Sequence, residues 1–200
     1  MVTDVLIVAG GYLIGSIPFG LLLPWLFRHE DIRRHGSGNI GASNVFRVYG
    51  RWLGAPVALL DIAKGLVPAL VGLKVGGEWV GVLAGAAAML GHARPAWLGL
   101  TKGGKMVATA GGVSLALAPF PALLCAVVWL AMFAICRYAS VSSIVTAFAL
   151  PALCVAFGEP LPTVIFAAAA AAGVILLHRQ NIRRLLNGTE SRFSRGPARA

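Results

Sequence analysis

The segment PTVIFAAAAAAGVILLH, residues 162 to 178, decides the fold class of this chain. It contains no charged residue, and at about 1.5 Å per residue an α-helix of this length crosses most of the ~30 Å hydrocarbon core of a bilayer. Similar apolar runs lie approximately at residues 4–27, 53–75, 79–97, 106–119, 121–136 and 141–157. With 58% hydrophobic residues, 12% charged residues and a mean hydropathy of +0.82, the sequence predicts an all-α integral membrane protein, a bundle of about seven transmembrane helices. The run at 106–119 is too short to span a bilayer unaided.

The basic residues predict how this multi-pass bundle is oriented. If all the runs cross the membrane, one side receives the segments 28–52, 92–105 and 137–140 and the chain after the last span. These segments contain every Lys and Arg except Lys64 and Lys74, whereas the opposite side carries Asp4, Glu78 and Glu159. By the positive-inside rule the basic side is cytoplasmic, the N-terminus lies outside and the C-terminus is cytoplasmic. Topology and attraction to lipid headgroups explain the formal charge of +10, and no nucleic-acid partner is expected.

The first cytoplasmic loop, HGSGNIGASNVFRVYG at residues 35 to 50, is typical of an anion site. Its glycines allow the backbone to turn N–H groups toward a ligand. Ser37, Asn39 and Asn44 add short polar side chains, and Arg47 adds a fixed cation. The alternative is a flexible connection between helices, but such a connection does not require Asn and Ser interleaved with Gly at this density.

The second loop contains KGGKMVAT, residues 102 to 109, in which two lysines flank a Gly-Gly pair where an apolar helix begins. The free N–H groups and partial positive charge of a helix start favour a phosphate ligand at this place. The sequence is close to a nucleotide-binding P-loop, but Met106 replaces the Ser or Thr that binds Mg²⁺, and a membrane helix precedes the loop where a β-strand is required. ATP hydrolysis is therefore not expected.

Ionisable residues also lie inside or at the end of predicted spans. Asp61 and Lys64 are three residues apart on one helix face, and because a lone buried charge is costly we expect an ion pair that faces the bundle interior. This pair either braces the bundle and a nearby site or acts directly in catalysis or proton transfer. His178 and Asn181 are also three apart, so both can face one pocket, with His178 either an interfacial hydrogen-bonding residue or a catalytic one.

No disulfide, metal or cofactor is expected from the sequence. The cysteines are odd in number and lie in predicted spans, at Cys125, Cys136 and Cys154. The four histidines are scattered and show no zinc-binding spacing.

Together these motifs resemble the PlsY family of bacterial membrane glycerol-3-phosphate acyltransferases, which use acyl phosphate as the donor. The resemblance covers nearly the whole chain in the right order: GSIPFG (15–20), GSGNIGASN (36–44) with Arg47, DIAKG (61–65), LGHARP (90–95), KGGKMVAT (102–109), RYASVSS (137–143) and HRQNIRRLLNGTE (178–190). The chain departs from the family pattern at Ser43, where Thr is usual, at Thr101, where an aromatic residue is usual, and at Met106, where Gly is usual. We expect the Met106 side chain either to narrow the mouth of the phosphate loop or to alter the φ/ψ freedom of its backbone.

The resemblance implies a reaction. The 1-hydroxyl of sn-glycerol 3-phosphate attacks acyl phosphate, which gives lysophosphatidic acid and phosphate in the first step of phospholipid biosynthesis. The implied location is the bacterial inner membrane, with the active site on the cytoplasmic side and without a cofactor. The implied partners are the two substrates, the lipid bilayer and the enzyme that supplies acyl phosphate. Because phosphate is a good leaving group and no G-x-S-x-G or H-x₄-D motif is present, we expect no acyl-enzyme intermediate.

The resemblance also implies residue roles. Glycerol 3-phosphate is assigned to Arg47, Lys105, Ser142, Ser143, His178 and Asn181. Acyl phosphate is assigned to Ser37, Gly38, Asn39, Lys102, Gly103 and Gly104. The candidate catalytic residues are Ser37, Lys105, His178 and Asn181, and either His178 or a donor phosphate oxygen takes the hydroxyl proton. Supporting roles fall to Asn44, Asp61, Lys64, His92, Thr109, Arg179 and Glu190, and Glu190 is expected to pair with a neighbouring arginine.

Residues 1–190 are predicted to form a single transmembrane acyltransferase domain, with cytoplasmic motif loops at 28–52, 92–105, 137–140 and 178–190. Residues 191–200 are basic and are predicted to be a flexible tail. The alternative function is a membrane transporter for a phosphorylated small molecule. It predicts polar groups that lead through to the far side, where the loops offer only Glu78 and Glu159.

Overall fold

A computed structural model describes residues 1–193, and within them the chain is helical and contains no β-strand. The helices are α1 (Val2–Gly15), α2 (Phe19–Arg28), α3 (Ala42–Tyr49), α4 (Arg51–Ala93), α5 (Val107–Leu117), α6 (Pro119–Cys136), α7 (Ala139–Ala156), α8 (Leu161–Leu177) and α9 (Arg179–Leu186). Two short 3₁₀ turns, Ile32–Arg34 and Ala96–Leu98, lie in the connections. The predicted all-α class is confirmed.

Helix α4 folds back on itself at Gly77, whose φ of 79° and ψ of −172° lie outside the helical region. A Cβ atom placed on Gly72 would lie 2.9 Å from the Cα of Gly81, so the chain on the two sides of Gly77 is closely packed. Residues 51–76 and 78–93 are therefore two arms of a helical hairpin. These arms correspond to the predicted spans 53–75 and 79–97.

The predicted span 4–27 is not one continuous helix, because α1 and α2 meet at a bend of 40°. Pro18 lies in the break and has no N–H group to continue a helical hydrogen-bond ladder. The carbonyl oxygen of Ile17 accepts hydrogen bonds from the N–H of Phe19 over 3.1 Å and from Lys64 Nζ over 2.9 Å. A side chain of α4 thus satisfies the backbone at the break.

Within residues 1–193, three helical stretches are long and apolar enough to cross a bilayer: Arg51–Leu98, Pro119–Cys136 and Ala139–Ala156. This number rises to five if each of the bent pairs α1/α2 and α8/α9 counts as one span. The first stretch contains the hairpin at Gly77. Helix α5 has only 11 residues, about 16 Å, which is too short for the ~30 Å core. The lengths and composition of the helices are those of a multi-pass membrane protein, while the number of seven spans and the orientation of the termini stay predictions.

Small residues allow the helices to approach closely. A Cβ atom on Gly11 of α1 would lie 2.6 Å from the carbonyl oxygen of Ala84, and one on Gly65 of α4 would collide with the carbonyl of Thr109 in α5. Small residues at such positions are the usual means of packing helices in membranes, where lipid is as apolar as the side chains. The close contact between α4 and α5 holds the start of α5, which carries the second motif loop, against the end of the α4 hairpin.

Met106 immediately precedes α5 and has a left-handed backbone, with φ of 68°. Its side chain is 8% exposed and belongs to the core cluster that includes Ala110 and Val174, and its sulfur faces Gly173 of α8. The expectation that this side chain narrows the phosphate loop is therefore wrong, because the side chain is directed into the core. The positive φ gives a physical reason for the glycine usual at this position, since only glycine adopts it without strain.

Neighbouring glycines on α5 provide a matched test of this packing. A Cβ atom on Gly112 would collide with the carbonyl oxygen of Ile62, whereas one on Gly111 would meet nothing within 4 Å. Overpacking costs roughly 1–3 kcal/mol, and each kcal/mol moves the Tm of a chain of this size by about 2–4 °C. We expect Gly112→Ala to lower the Tm in detergent by about 2–12 °C.

Gly111→Ala is the control and should leave the Tm unchanged or slightly raised, because alanine favours the helix. An equal loss of Tm in both variants would contradict the packing described here.

Candidate functional site

The first motif loop is organised around the side chain of Asn44, which is 3% exposed. Its Oδ1 accepts a hydrogen bond of 2.8 Å from the backbone N–H of Ser37, and its Nδ2 donates bonds of 3.0 Å to the carbonyls of His35 and Asn39. Gly36 and Gly38 have φ values of 59° and 69°, which glycine adopts without strain. The loop is thus held by specific bonds, which argues against a merely flexible connection.

Asn39 joins the first motif loop to the second. Its Nδ2 donates to the carbonyl of Gly103 over 3.2 Å, and its Oδ1 accepts from the N–H of Gly41 over 2.8 Å. Two segments that were both predicted to bind acyl phosphate are therefore adjacent in the fold.

The glycine pair of the second loop packs directly on the end of α4. The N–H groups of Gly103 and Gly104 donate to the carbonyls of Ala93 and His92 over 2.9 and 3.0 Å. A Cβ atom on Gly104 would collide with Nε2 of His92. Glycine is needed here for close packing. These two N–H groups are engaged within the protein, so they are not the donors that would hold a phosphate.

A buried charge cluster lies beneath this loop. Lys64 Nζ is 2.7 Å from Asp61 Oδ1, and the two side chains are 3% and 2% exposed, which confirms the predicted ion pair. Nδ1 of His92 is 3.6 Å from the same carboxylate oxygen. Because the other ring nitrogen of His92 faces Gly104, the cluster supports the second motif loop. This geometry favours the bracing role over a direct role in catalysis.

The centre of the site is formed by Lys105, Asn181 and Glu190. Lys105 Nζ donates to Asn181 Oδ1 over 2.6 Å, and Asn181 Nδ2 donates to Glu190 Oε1 over 2.6 Å. Ser140 Oγ donates to the same carboxylate oxygen over 2.8 Å, and Arg184 Nε donates to Oε2 over 2.6 Å. The predicted pairing of Glu190 with a neighbouring arginine is confirmed, and the cluster joins the second motif loop, α7 and α9.

The cluster carries an excess of positive charge. Burial lowers the pKa of Lys105 to about 8, and although Glu190 opposes this shift, Arg184, Lys102 and Arg47 add to it. Burial alone would raise the pKa of the Glu190 carboxyl, but hydrogen bonds from Asn181, Ser140 and Arg184 outweigh burial and lower it. Several cations thus surround one carboxylate, an arrangement that favours binding of a further anion.

Arg47 reaches this region from α3. Its Nη2 donates to the carbonyl of Ser191 over 3.3 Å, and its guanidinium carbon lies 4.7 Å from the centre of the Phe193 ring. Its Nε is buried and has no hydrogen-bond partner within residues 1–193. Burial lowers the pKa of Arg47, although arginine remains charged at physiological pH. An unpaired buried donor of this kind is available to a ligand oxygen.

His178 lies at the junction of α8 and α9 and is 3% exposed. Its Nδ1 is 2.8 Å from the carbonyl oxygen of Val174. Because a carbonyl can only accept, this contact assigns the hydrogen of the neutral ring to Nδ1 and leaves the Nε2 lone pair available as a base. Lys105 and Glu190 are close enough to act on the ring electrostatically, so His178 belongs to the same region as Asn181.

Several predicted site residues are engaged elsewhere. The hydroxyl of Ser143 donates to the carbonyl of Ala139 and accepts from Trp129 Nε1, and that of Ser142 donates to the carbonyl of Tyr138. Ser140 is the serine of this segment that contacts Glu190. Other assigned residues make no hydrogen bond to the cluster within residues 1–193: Ser37 and Gly38 are exposed, Thr109 is fully buried with its hydroxyl unpaired, and Arg179 donates to the carbonyl of Leu176.

Sequence reasoning missed three contributors to this region. Ser140 stands in the quoted RYASVSS motif but was not assigned to a substrate. Arg184 follows Asn181 by three residues, so the helical spacing of His178, Asn181 and Arg184 is a signal that could have identified it. Gln180 accepts a hydrogen bond of 3.3 Å from Lys102, and no sequence feature distinguishes it.

Known proteins are similar to this chain along almost its full length. A profile of the glycerol-3-phosphate acyltransferase family matches residues 5–188. The chain is 46% identical over 194 residues to a glycerol-3-phosphate acyltransferase of Geobacter sulfurreducens, covering 96% of this chain and 99% of that protein. It is 48% identical over 183 residues to the protein of the same name from Rhizobium meliloti, covering 92% of this chain and 89% of that protein.

Two crystal structures are similar to the fold. Both are of PlsY, an integral membrane glycerol 3-phosphate acyltransferase. The glycerol 3-phosphate form has a TM-score of 0.92 and 41% sequence identity, with coverage of 96% of both chains. The lysophosphatidic acid form has a TM-score of 0.89 and 40% identity, again with coverage of 96% of both chains.

Asn44 provides a test of how the first loop is held. Asn44→Ala removes three hydrogen bonds and leaves the N–H of Ser37 and the carbonyl of Asn39 without partners within residues 1–193, while the carbonyl of His35 keeps its bond from the N–H of Gly38. We expect faster amide hydrogen exchange across residues 35–41, measured by mass spectrometry in detergent, and a loss of roughly 1–3 kcal/mol in the free energy of unfolding.

The control is Asn187→Ala, because Asn187 is exposed and its side chain makes no hydrogen bond within residues 1–193. Unchanged exchange across residues 35–41 in Asn44→Ala would show that Asn44 does not organise the loop.

Proposed function

This chain belongs to the glycerol-3-phosphate acyltransferase family, and from that membership we propose that it transfers a fatty acyl group to the 1-hydroxyl of sn-glycerol 3-phosphate, giving lysophosphatidic acid. The observation that carries the proposal is the cationic cluster of Lys105, Asn181 and Glu190 with Arg47, placed at the end of an apolar helical bundle. A cluster of this kind suits a soluble phosphate ester. The adjoining bundle and bilayer suit an acyl chain.

Glycerol 3-phosphate is proposed to bind through its phosphate to Lys105 and Arg47. Lys105 offers ammonium hydrogens beyond the one directed at Asn181, and Arg47 offers the buried Nε hydrogen that lacks a partner within residues 1–193. Charge-assisted hydrogen bonds from both side chains would hold the phosphate in a fixed orientation. Asn181 is then held between Lys105, from which its Oδ1 accepts, and Glu190, to which its Nδ2 donates.

The donor is proposed to be acyl phosphate, held where the two motif loops meet at Asn39 and Gly103. The first turn of α5 begins directly after this loop, and the N–H groups of such a turn have no partner within their own helix. These groups and Lys105 are proposed to stabilise the oxyanion that forms on the acyl carbonyl. Lys102, which is exposed on the same loop, adds positive charge for the phosphate of the donor.

Transfer is proposed to be direct. The 1-hydroxyl oxygen forms a bond to the acyl carbon, the bond from that carbon to the phosphate oxygen breaks, and inorganic phosphate leaves with the electron pair. The hydroxyl proton passes to Nε2 of His178 or to a phosphate oxygen of the donor. Within residues 1–193 no hydrogen bond joins Ser37 Oγ to a histidine or carboxylate, so Ser37 lacks the base that would activate it as a nucleophile.

The proposed setting is a bacterial inner membrane, with the site on the cytoplasmic side. The segments that form the site carry most of the Lys and Arg residues, as expected for cytoplasmic loops. Glycerol 3-phosphate would enter from the cytoplasm. Acyl phosphate, whose chain prefers the bilayer, would arrive from the enzyme that produces it.

The proposal is tested with purified protein, acyl phosphate and sn-glycerol 3-phosphate, with acyl-CoA as a parallel donor and Lys105→Ala as the matched variant. We expect lysophosphatidic acid and inorganic phosphate in equal amounts from acyl phosphate, with tenfold or greater loss of kcat/KM in Lys105→Ala because a charge-assisted hydrogen bond is removed.

Several results would contradict parts of the proposal. Product from acyl-CoA alone would overturn the donor, and a trapped acyl-enzyme would overturn direct transfer. If neither donor gives product, the transferase function is overturned. The alternative, a membrane transporter for a phosphorylated small molecule, would then be favoured.

The pKa of Lys105 predicts a pH dependence. With a pKa of about 8 the side chain is charged below that pH and neutral above it, while a phosphate monoester is already dianionic above pH ~6. We expect kcat/KM for glycerol 3-phosphate to fall as pH rises above about 8, approaching tenfold per pH unit. In Lys105→Arg this fall should be absent, because the guanidinium stays charged.

The control for this profile is Lys74→Arg, an exposed lysine on α4 outside the site, which should leave the profile unchanged. The same alkaline fall in Lys105→Arg and in the wild type would show that another group is responsible.

A further inference from the structure

The last described residues fold back onto the site. We call residues 190–193 the C-terminal strap; they lie beyond the family match, which ends at residue 188. The N–H of Phe193 donates to the carbonyl of Arg137 over 3.0 Å, and Arg192 Nε donates to the carbonyl of Cys136 over 2.9 Å. Sequence composition assigned residues 191–193 to a flexible tail, whose other residues, 194–200, lie outside the described part. The strap is instead bonded to the end of α6.

The ring of Phe193 is held by other aromatic rings. It meets Phe133 edge to face, with centroids 5.1 Å apart and an angle of 78°, and Phe133 stacks on Trp129 at 5.2 Å and 14°. Trp129 Nε1 donates to Ser143 Oγ over 3.1 Å. The position of Phe193 is thus fixed by a chain of contacts along α6 to α7.

Arg47 is oriented by the strap from two directions. The Phe193 ring covers the guanidinium at 4.7 Å, and the carbonyl of Ser191 accepts from Nη2. The Nε donor of Arg47 stays buried and unpaired within residues 1–193. Because a free arginine side chain samples many rotamers, fixing the guanidinium beforehand removes an entropic cost from ligand binding.

Both ends of the strap are anchored. Glu190 accepts hydrogen bonds from Ser140, Asn181 and Arg184, which ties the start of the strap to the Lys105 cluster. At the other end the guanidinium of Arg192 lies 5.7 Å from the Tyr138 ring. The strap therefore connects Lys105 and Arg47, the two side chains assigned to the phosphate of glycerol 3-phosphate. It reaches Lys105 through Glu190 and Asn181. It reaches Arg47 through Ser191 and Phe193.

We propose that Phe193 is a positioning residue for the acceptor substrate: through the C-terminal strap it holds Arg47 in the orientation that binds the phosphate of glycerol 3-phosphate. This inference rests on the proposed function. It assigns no contact between Phe193 and the substrate. The ring acts through Arg47, so its effect is on the affinity for glycerol 3-phosphate and not on the chemical step.

The test measures KM and kcat for glycerol 3-phosphate separately in Phe193→Ala, Phe193→Tyr and the wild type. A partly desolvated cation–π contact corresponds to about a five- to thirtyfold effect on affinity. We expect Phe193→Ala to raise KM for glycerol 3-phosphate by that factor, with kcat and the KM for the acyl donor within about twofold. Phe193→Tyr should restore KM to within about twofold, because tyrosine keeps the aromatic face.

Three controls separate positioning from a general loss of structure. Phe148→Ala removes an exposed phenylalanine of α7 and should change neither constant. A chain that ends at Phe193 should behave as the wild type, whereas one that ends at Glu190 should behave as Phe193→Ala. Adding Phe193→Ala to Arg47→Ala should cause no further rise in KM, since the two act as one unit.

The outcomes are distinct. An unchanged KM in Phe193→Ala, a lowered KM, or an additive effect in the Arg47→Ala background would overturn the inference while the transferase function stands. A lowered KM would identify the strap as a competitor for Arg47. Absence of lysophosphatidic acid formation by the wild type would overturn the proposed function itself.

Discussion

The ion pair between Asp61 and Lys64 is the constraint on which the rest of the structure depends. Neither charge can be left unpaired in an apolar interior, so the two must stay together, and each also contacts another segment. Lys64 reaches the carbonyl of Ile17 at the break between α1 and α2, and Asp61 lies next to His92 at the end of the α4 hairpin. Since His92 also supports Gly104, the position of the second motif loop follows from the requirement to neutralise two charges inside the bundle.

From this base the site is assembled from segments that are distant in the sequence. The second loop supplies Lys105, α9 supplies Asn181, α7 supplies Ser140 and α3 supplies Arg47. Each side chain is fixed by a hydrogen bond or ring contact with another segment, so the cationic cluster is already assembled in the folded chain. Gly65 of α4 and Gly112 of α5 also contribute to this assembly. They allow the two helices to approach closely, so that the start of α5 packs against α4.

Hydropathy predicted the helical class and the α4 hairpin, because lipid selects for apolar length. Hydropathy did not predict the break between α1 and α2 at Pro18, because it does not register the missing N–H group of proline. Motif chemistry predicted the Asp61–Lys64 pair and the pairing of Glu190 with an arginine, because a buried charge demands a partner. It placed Asn44 in an anion-binding loop, and the structure adds that this side chain bonds to the loop backbone. It did not select Ser140 as the serine that contacts Glu190, because helical rotation decides which hydroxyl meets that carboxylate. It also failed for Phe193, whose partners are known only once α6 and α3 are placed together.

The left-handed backbone at Met106 has a consequence for how this chain can change. The Met106 sulfur lies 3.5 Å from where a Cβ atom on Gly173 would lie, which is an ordinary van der Waals contact, so the long side chain before α5 fills the space beside α8 and still leaves room for a methyl group at 173. Glycine at position 106 would relax the backbone but leave this space empty. A chain with glycine at 106 therefore has room at 173 for a side chain larger than methyl.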